Sequence, residues 1–304
     1  MQTIFLGKEI RAMRPCVATI GFFDGVHRGH RFLIERLKED AAREGLESTV
    51  ITFERHPRQV LSADYQPKLL TTFEEKVLLL SKTGVDNCAV LQFDQQMAQL
   101  TAREFMERVL SGLLNVKKLY IGYDHRFGHN RSEGFDDYVR YGKQLGIEVL
   151  QATQFPAVSS TKIRELLLEG DLEAANQILG YRYMLEGQVV NGFHIGHTMG
   201  FPTANLQVAP EKLIPADGVY AVMVELDGEQ HQGMLNIGTR PTLANSDERS
   251  IEVHIFDFHD NIYDKELRLS LVKRTRGEVR FASKEQLILQ LQQDAAEIKT
   301  ILGS

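Results

Sequence analysis

The chain has 304 residues, 43% of them hydrophobic and 25% charged, with a formal net charge of −6. That length accommodates two domains with buried cores, and the acidic balance excludes a general nucleic-acid binder, which needs a concentrated basic surface. No window approaches the roughly 18 apolar residues of a membrane span, and the N-terminal MQTIFLGKEIRAM lacks the apolar core and cleavage site of a signal peptide, so a cytoplasmic protein is expected.

In chain order, residues 16–22 (CVATIGF) and 48–53 (STVITF) read as strands. The helix expected between them, over about 29–44, carries Leu33, Leu37 and Ala41 on one face. TTFEEKVLLLSKTG opens with Thr72 and Glu75 three apart, a capping-box spacing, and ends in Gly84. The strand NCAVLQF follows, then a second capped helix with Thr101 and Glu104 in the same relation. KKLYIGY and IEVLQAT are two more strands around the helical GFDDYVRYGKQLG. Alternating strands and helices of this length predict an α/β domain with a doubly wound parallel sheet. The only cysteines, Cys16 and Cys88, lie in apolar strand-like runs and are expected to be buried, reduced thiols.

The rhythm then changes. SSTKIRELLLEGDLEAANQILG reads as two short helices, and from residue 185 the chain runs through LEGQVV, GVYAVMVEL, HQGMLNIG, SIEVHIFDF and LRLSLVK. Turns such as LDGE and HDN separate these strands, and one convincing helix, SKEQLILQLQQDAAEIKTIL, ends the chain. The pattern predicts a small, mainly antiparallel β-barrel with a terminal helix, and we place the domain boundary near residue 183.

The stretch IGFFDGVHRGH, residues 20–30, is where a strand hands over to a helix. Free backbone N–H groups at the helix N-terminus and the helix dipole favour an anion there, and Gly25 and Gly29 let backbone approach a phosphate. His27 and His30 can donate to polyphosphate oxygens and stabilise charge growing on a leaving pyrophosphate. Taken alone, the motif reads equally as a tight turn with two incidental histidines. A zinc site lacks a third ligand, and the Walker and dinucleotide fingerprints are absent. VSSTKIREL sets Ser159, Ser160 and Thr161 before a helix with Lys162 and Arg164 in its first turn. The hydroxyls suit an N-cap, whereas two cations there oppose the dipole unless they serve an anion. GYDHRFGHNRSEG mixes Asp124, Arg126, Phe127 and Arg131 with glycines, as either an ordered binding loop or a solvated one would.

Together, GFFDGVHRGH, TFERHP, GYDHRFGHNRSEG and SSTKIRELLLEGD resemble the ordered motifs of the nucleotidyltransferase-like half of the bifunctional riboflavin kinase/FAD synthetase family, over residues 1–183. The resemblance implies adenylyl transfer from ATP to FMN, with pyrophosphate released. It implies an ATP site at Gly21, Phe22, Phe23, Asp24, Gly25, His27, Gly29 and His30, completed by Ser159, Ser160, Thr161 and Arg164. His27, His30 and Arg164 are the catalytic candidates, with Ser160 beside them and Mg²⁺ assisting. Flavin contacts fall on His56, Pro57, Asp124, Arg126 and Phe127. The chain departs from the pattern at Glu54–Arg55 and at His125.

In the second half, MGFPTANL carries Gly200, Phe201 and Pro202 ahead of Thr203 and Asn205, two hard oxygen ligands that point the same way on an extended segment and suit Mg²⁺. The same residues could be a polar loop entering a barrel. SIEVHIFDF alternates Ile251, Val253 and Ile255 against Glu252, His254 and Phe256. Glu252 there is either a solvent-facing strand residue or a general base. With NIGTRPT and RGEVRFASKEQLILQLQQD, these segments resemble the family's riboflavin kinase module over residues 184–304. That resemblance implies a six-stranded barrel that phosphorylates riboflavin with Mg-ATP, Glu252 as base and Thr203 and Asn205 on the metal. Asn236, Arg240, Pro241, Thr242 and Arg276 join Gly200, Phe201 and Pro202 as its ATP- or flavin-binding candidates, and His197 stands where the family usually has Arg. The small-molecule partners are therefore ATP, riboflavin and FMN, with FAD as product. Two alternatives are a single-activity nucleotidyltransferase and a non-catalytic flavin-binding regulator.

Overall fold

The computed structural model describes residues 1–6, 13–62, 64–122, 126–129, 132–152, 158–192, 200–239 and 249–303. It divides into two compact units, Met1–Ser160 and Thr161–Ser304.

The first unit is built on a six-stranded parallel sheet of order β1-β4-β3-β2-β5-β6, where β1 is Gln2–Leu6, β2 Cys16–Ile20, β3 Glu47–Phe53, β4 Asn87–Leu91, β5 Val116–Ile121 and β6 Glu148–Gln151. β2 and β4 are buried at every residue, as central strands covered on both faces must be. The sequence does not announce β1; its short apolar run pairs with β4 at the sheet edge and stays partly exposed. Cys16 and Cys88 are buried and unbridged, as expected.

Helix α1 (Arg28–Glu44) buries Ile34, Leu37 and Ala41, so the stripe is centred on Ile34, with Leu33 only part-buried at its margin. Gly45 ends the helix at φ 68°, a left-handed cap that a side chain would strain. Helix α2 (Pro57–Leu61) is short, and α3 (Phe73–Ser81) starts with the expected capping box: Glu75 N–H donates to Thr72 Oγ1 at 3.2 Å and Thr72 N–H to Glu75 Oε2 at 2.9 Å. After the short α4 (Gln95–Ala98), α5 (Ala102–Phe105) has the second box, with Thr101 and Glu104 bonded at 3.2 and 3.0 Å. The turn then widens into a π-helix over Met106–Leu113, which the sequence does not foreshadow. Helix α6 (Phe135–Leu145) leads to β6.

The chain runs from β2 outward to β3 and β4, then returns to the other side of β2 for β5 and β6. The order therefore reverses between β2 and β5. In open α/β sheets, ligands bind outside the strand carboxyl ends at such a switch point. The segments that leave those two ends are residues 20–30 and 122–134, two of the quoted motifs.

Helix α7 (Ser160–Glu169) starts at the last residue of the first unit; the rest of it and α8 (Leu172–Leu179) belong to the second, where they precede a closed antiparallel barrel of order β10-β11-β8-β7-β12-β9. Its strands are β7 Met184–Val190, β8 Ala204–Val208, β9 Gly218–Leu226, β10 Glu229–Thr239, β11 Arg249–Ile255 and β12 Glu266–Arg276. The sixth strand is β8, the extended segment that follows Pro202. Asn176 of α8 bonds the Leu271 carbonyl at 3.0 Å and the Tyr183 N–H at 2.7 Å, tying α8 to β12. Helix α9 (Lys284–Leu302) lies over the outer wall, where Ile298 packs with Val219, Ala221, Met234 and Phe256.

Candidate functional site

In the first unit the turn after β2 is held in an unusual backbone shape. Phe23, Gly25 and Val26 have φ of 56°, 78° and 35°, a region costly for an aromatic or β-branched residue. Asp24 fixes it. Its buried carboxylate accepts from Leu70 N–H at 2.9 Å and Thr71 N–H at 3.1 Å, while Gly25 N–H donates to Thr71 Oγ1 at 3.1 Å. The Asp24 side chain thus faces the neighbouring backbone. Its carbonyl accepts from Ser160 Oγ at 3.0 Å, which brings the start of the SSTKIREL motif to the glycine-histidine motif. Ser159 precedes that helix, Thr161 and Arg164 lie in its first turns, and Lys162 pairs with Glu165 at 3.3 Å.

His27 is the N-cap of α1, its Nδ1 accepting from His30 N–H at 3.4 Å. An accepting Nδ1 places the neutral ring's proton on Nε2. The two imidazoles stack with centroids 3.7 Å apart at 14°, with Phe23 edge-on to His30 at 5.0 Å. Burial lowers the His27 pKa to about 4. Burial, then the neighbouring His27 and Lys76, hold His30 well below its ordinary value. Both rings are therefore neutral at pH 7. Among the described residues the enclosed Nδ1 of His30 has no hydrogen-bond partner. Gly21 continues the β2 ladder by donating to Ile51 O at 3.0 Å, and a side chain at Gly29 would press on the His27 ring at 3.3 Å.

Sequence reasoning missed Lys76. Its buried ammonium donates to the carbonyls of Phe53 (2.6 Å) and Phe22 (3.3 Å), at the carboxyl ends of β3 and β2, and lies 4.1 Å from the Phe22 ring centroid. Burial brings its pKa down to about 8. The available signal was its i, i+3/i+4 spacing to Leu79 and Leu80, which puts a lysine on the buried face of α3.

A cavity of about 340 Å³ opens beside these strand ends, lined by Phe53, Pro57, Phe93, Arg126 and Phe127 among others. Phe127 stacks on Tyr138 at 4.2 Å and exchanges hydrogen bonds with its hydroxyl. His56 caps α2, its ring packed between Phe22 (4.7 Å) and Tyr65 (5.3 Å), so it borders the site through Phe22. Asp124 and His125 lie outside the described residues.

In the second unit the register gathers the candidates. Glu252 is directly opposite Asn205 on one side and Asn236 on the other; Asn236 faces Val219, and Val219 faces Arg276. Asn205, Glu252, Asn236 and Arg276 thus occupy one level around the barrel wall. Ile251, Val253 and Ile255 are buried, whereas Glu252 and His254, on the opposite face of β11, are partly exposed. Thr203 Oγ1 donates to Glu252 Oε2 at 3.3 Å. A Cβ on Gly192 would stand 2.0 Å from Asn205 Nδ2, so the backbone there closely supports that amide. Arg276 grips the buried Asp294 of α9 through Nε and Nη2 at 2.7–3.1 Å. A cavity of about 390 Å³ is lined by Pro202, Thr203, Asp260, Asn261 and Tyr263 among others. Gly200 and Phe201 lead into this segment; Arg240, Pro241, Thr242 and His197 lie outside the described residues.

No cluster of three or more His, Cys, Asp or Glu occurs among the described residues. A hydroxyl, an amide oxygen and one nearby carboxylate make an oxygen set suited to Mg²⁺ that also binds substrate phosphates.

Comparison with known proteins is consistent across both units. The family model described as FAD synthetase matches residues 9–165 and that described as riboflavin kinase matches 179–302. A bifunctional riboflavin kinase/FMN adenylyltransferase from Listeria monocytogenes is 39% identical over 291 residues, covering 94% of this chain and 92% of its own. One from Escherichia coli is 38% identical over 293 residues, covering 95% and 93%. A crystal structure from Streptococcus pneumoniae, described as a macrolide-efflux protein, is 31% identical with a TM-score of 0.87 and covers 98% of this chain and 99% of its own. Among the described residues of this chain no helix is long and apolar enough to cross a membrane.

Proposed function

Because the chain belongs to the bifunctional riboflavin kinase/FMN adenylyltransferase family, we propose that its second unit makes FMN from riboflavin and ATP and that the motifs of its first serve the transfer of AMP from a second ATP to FMN, giving FAD and pyrophosphate. One contrast carries this division. Beside the two histidines the nearby carboxylate, Asp24, is engaged by backbone amides, whereas Glu252 stands against the Thr203 hydroxyl. We accordingly assign a base to the phosphorylation of riboflavin and none to the adenylyl transfer.

The chemistry requires that difference. The ribityl hydroxyl of riboflavin is un-ionised at neutral pH and releases a proton as it attacks the γ-phosphorus. Glu252 accepts that proton while the new O–P bond forms and the bond to ADP breaks. Mg²⁺ neutralises phosphate charge when bound, and Thr203 Oγ1 and Asn205 Oδ1 would hold it. The cavity bordered by Thr203 gives the nucleotide room. The phosphate of FMN, by contrast, is already ionised, so a phosphate oxygen can attack the α-phosphorus of ATP and expel pyrophosphate with no base. Positioning and donors then carry the rate. His27 presents Nε2–H for this. The aromatic cavity with Arg126 on its wall matches a planar ring that carries an anionic tail. ATP, riboflavin and FMN meet in the cytoplasm, where we place both reactions.

Incubation with riboflavin, ATP and Mg²⁺, with flavins separated by chromatography, tests the reading. FMN is expected first and FAD second. Flavin bound but unchanged would make the protein a binding regulator, and FAD formed only from supplied FMN would reduce it to a single-activity adenylyltransferase.

A further inference from the structure

Pro202 interrupts the ladder that carries the kinase candidates. The β8–β11 register pairs Asn205 with Glu252 and Ala204 with Val253, and stops there. Two residues earlier Pro202 has no N–H to offer a partner strand, so Thr203 sits on a segment that backbone pairing no longer holds. The side chain of His254, the next residue of β11, reaches across instead. Its Nδ1 lies 2.8 Å from the Pro202 carbonyl. A carbonyl only accepts, so Nδ1 carries the proton and donates. The ring is wedged edge-to-face against Phe201 at 5.2 Å and Phe256 at 5.6 Å, and Phe256 belongs to the cluster covered by α9. Burial lowers the His254 pKa, which favours the neutral ring with this single donor.

We propose that His254 is a positioning residue of the kinase site: its Nδ1–H ties the Pro202 carbonyl to β11 beyond the point where the ladder stops, and so holds Thr203 beside Glu252. The inference rests on the roles assigned above to Thr203 and Glu252. It concerns the donor at Nδ1 rather than the bulk of the ring, and two substitutions separate those properties. His254→Phe keeps an aromatic ring between Phe201 and Phe256 but has no donor. His254→Asn loses the ring yet places an amide N–H near the Nδ1 position.

The test measures FMN formation as a function of Mg-ATP, together with hydrogen–deuterium exchange of the peptide spanning residues 200–206. H254F should raise the KM for Mg-ATP about tenfold, the size typical of losing a support for a ligating side chain, with a smaller change in kcat. Exchange at 203–205 should quicken in H254F, and conversion of supplied FMN to FAD should stay at its wild-type rate. H254N should stay within about threefold of wild type, since one neutral hydrogen bond is retained. The proposal is overturned if H254F matches wild type in KM and exchange, or if H254N falls as far as H254F. Glu252→Gln, assayed alongside, guards the premise: retention of FMN formation by E252Q would refute the assigned base, whatever the His254 variants do.

Discussion

Burial keeps the imidazoles of His27 and His30 neutral at pH 7. The sign of the effect on stability follows. His27 has a folded pKa of about 4 against an ordinary 6.5, so between those values the unfolded chain binds the extra proton and stability falls as the pH drops. From pH 7 to pH 5 this removes about 2 kcal/mol from the ligand-free first unit. His27→Asn keeps an N-cap acceptor and removes the titration, so its urea midpoint should change less than wild type over that interval; an equal change would contradict the burial argument. Binding ATP works in the opposite direction, because an anion beside the rings favours their charged form. At this scale the sequence marks His27, His30, Thr203, Asn205 and Glu252 as candidates because the chemistry calls for such residue types together. It does not show that the Asp24 carboxylate faces the 70–71 backbone 46 residues away, nor does it single out Lys76, whose carbonyl partners come from two strands that only the fold brings together.

Elements set the distances that the residues exploit. The capping boxes at Thr72 and Thr101 were readable because each depends on a local three-residue spacing. The strand β1 and the π-helical stretch Met106–Leu113 were not, since pairing with β4 and a widened turn depend on tertiary packing. β8 was visible only as an extended run, because Pro202 and the short ladder with β11 give it little strand signature. The same short ladder makes its approach sensitive to small changes. Gly192→Ala would set a methyl where the Asn205 amide now sits. The cheapest relief is rotation of that amide, so the fold should survive while FMN formation drops by about tenfold. Steady-state kinase and adenylyltransferase rates on the same preparation check this; a kinase rate unchanged in G192A would mean that the Asn205 position is unimportant.

At the scale of the molecule, two chemistries with different proton requirements share one chain. The switch in strand rhythm near residue 183 reveals that division, yet packing groups residues differently: α7 and α8 cluster with the barrel, and Asn176 bonds both Leu271 and Tyr183. The strand rhythm sets these two helices before the boundary near residue 183, but short amphipathic helices read alike whichever unit they pack with. We assign the base to the barrel unit and the phosphate-handling histidines to the sheet unit. The most direct measurement follows riboflavin, FMN and FAD through time in E252Q and His30→Ala, each supplied in turn with riboflavin and with FMN. We predict that E252Q makes no FMN but still converts supplied FMN to FAD, and that H30A accumulates FMN without FAD. Loss of both activities in either folded variant would contradict the two-site account.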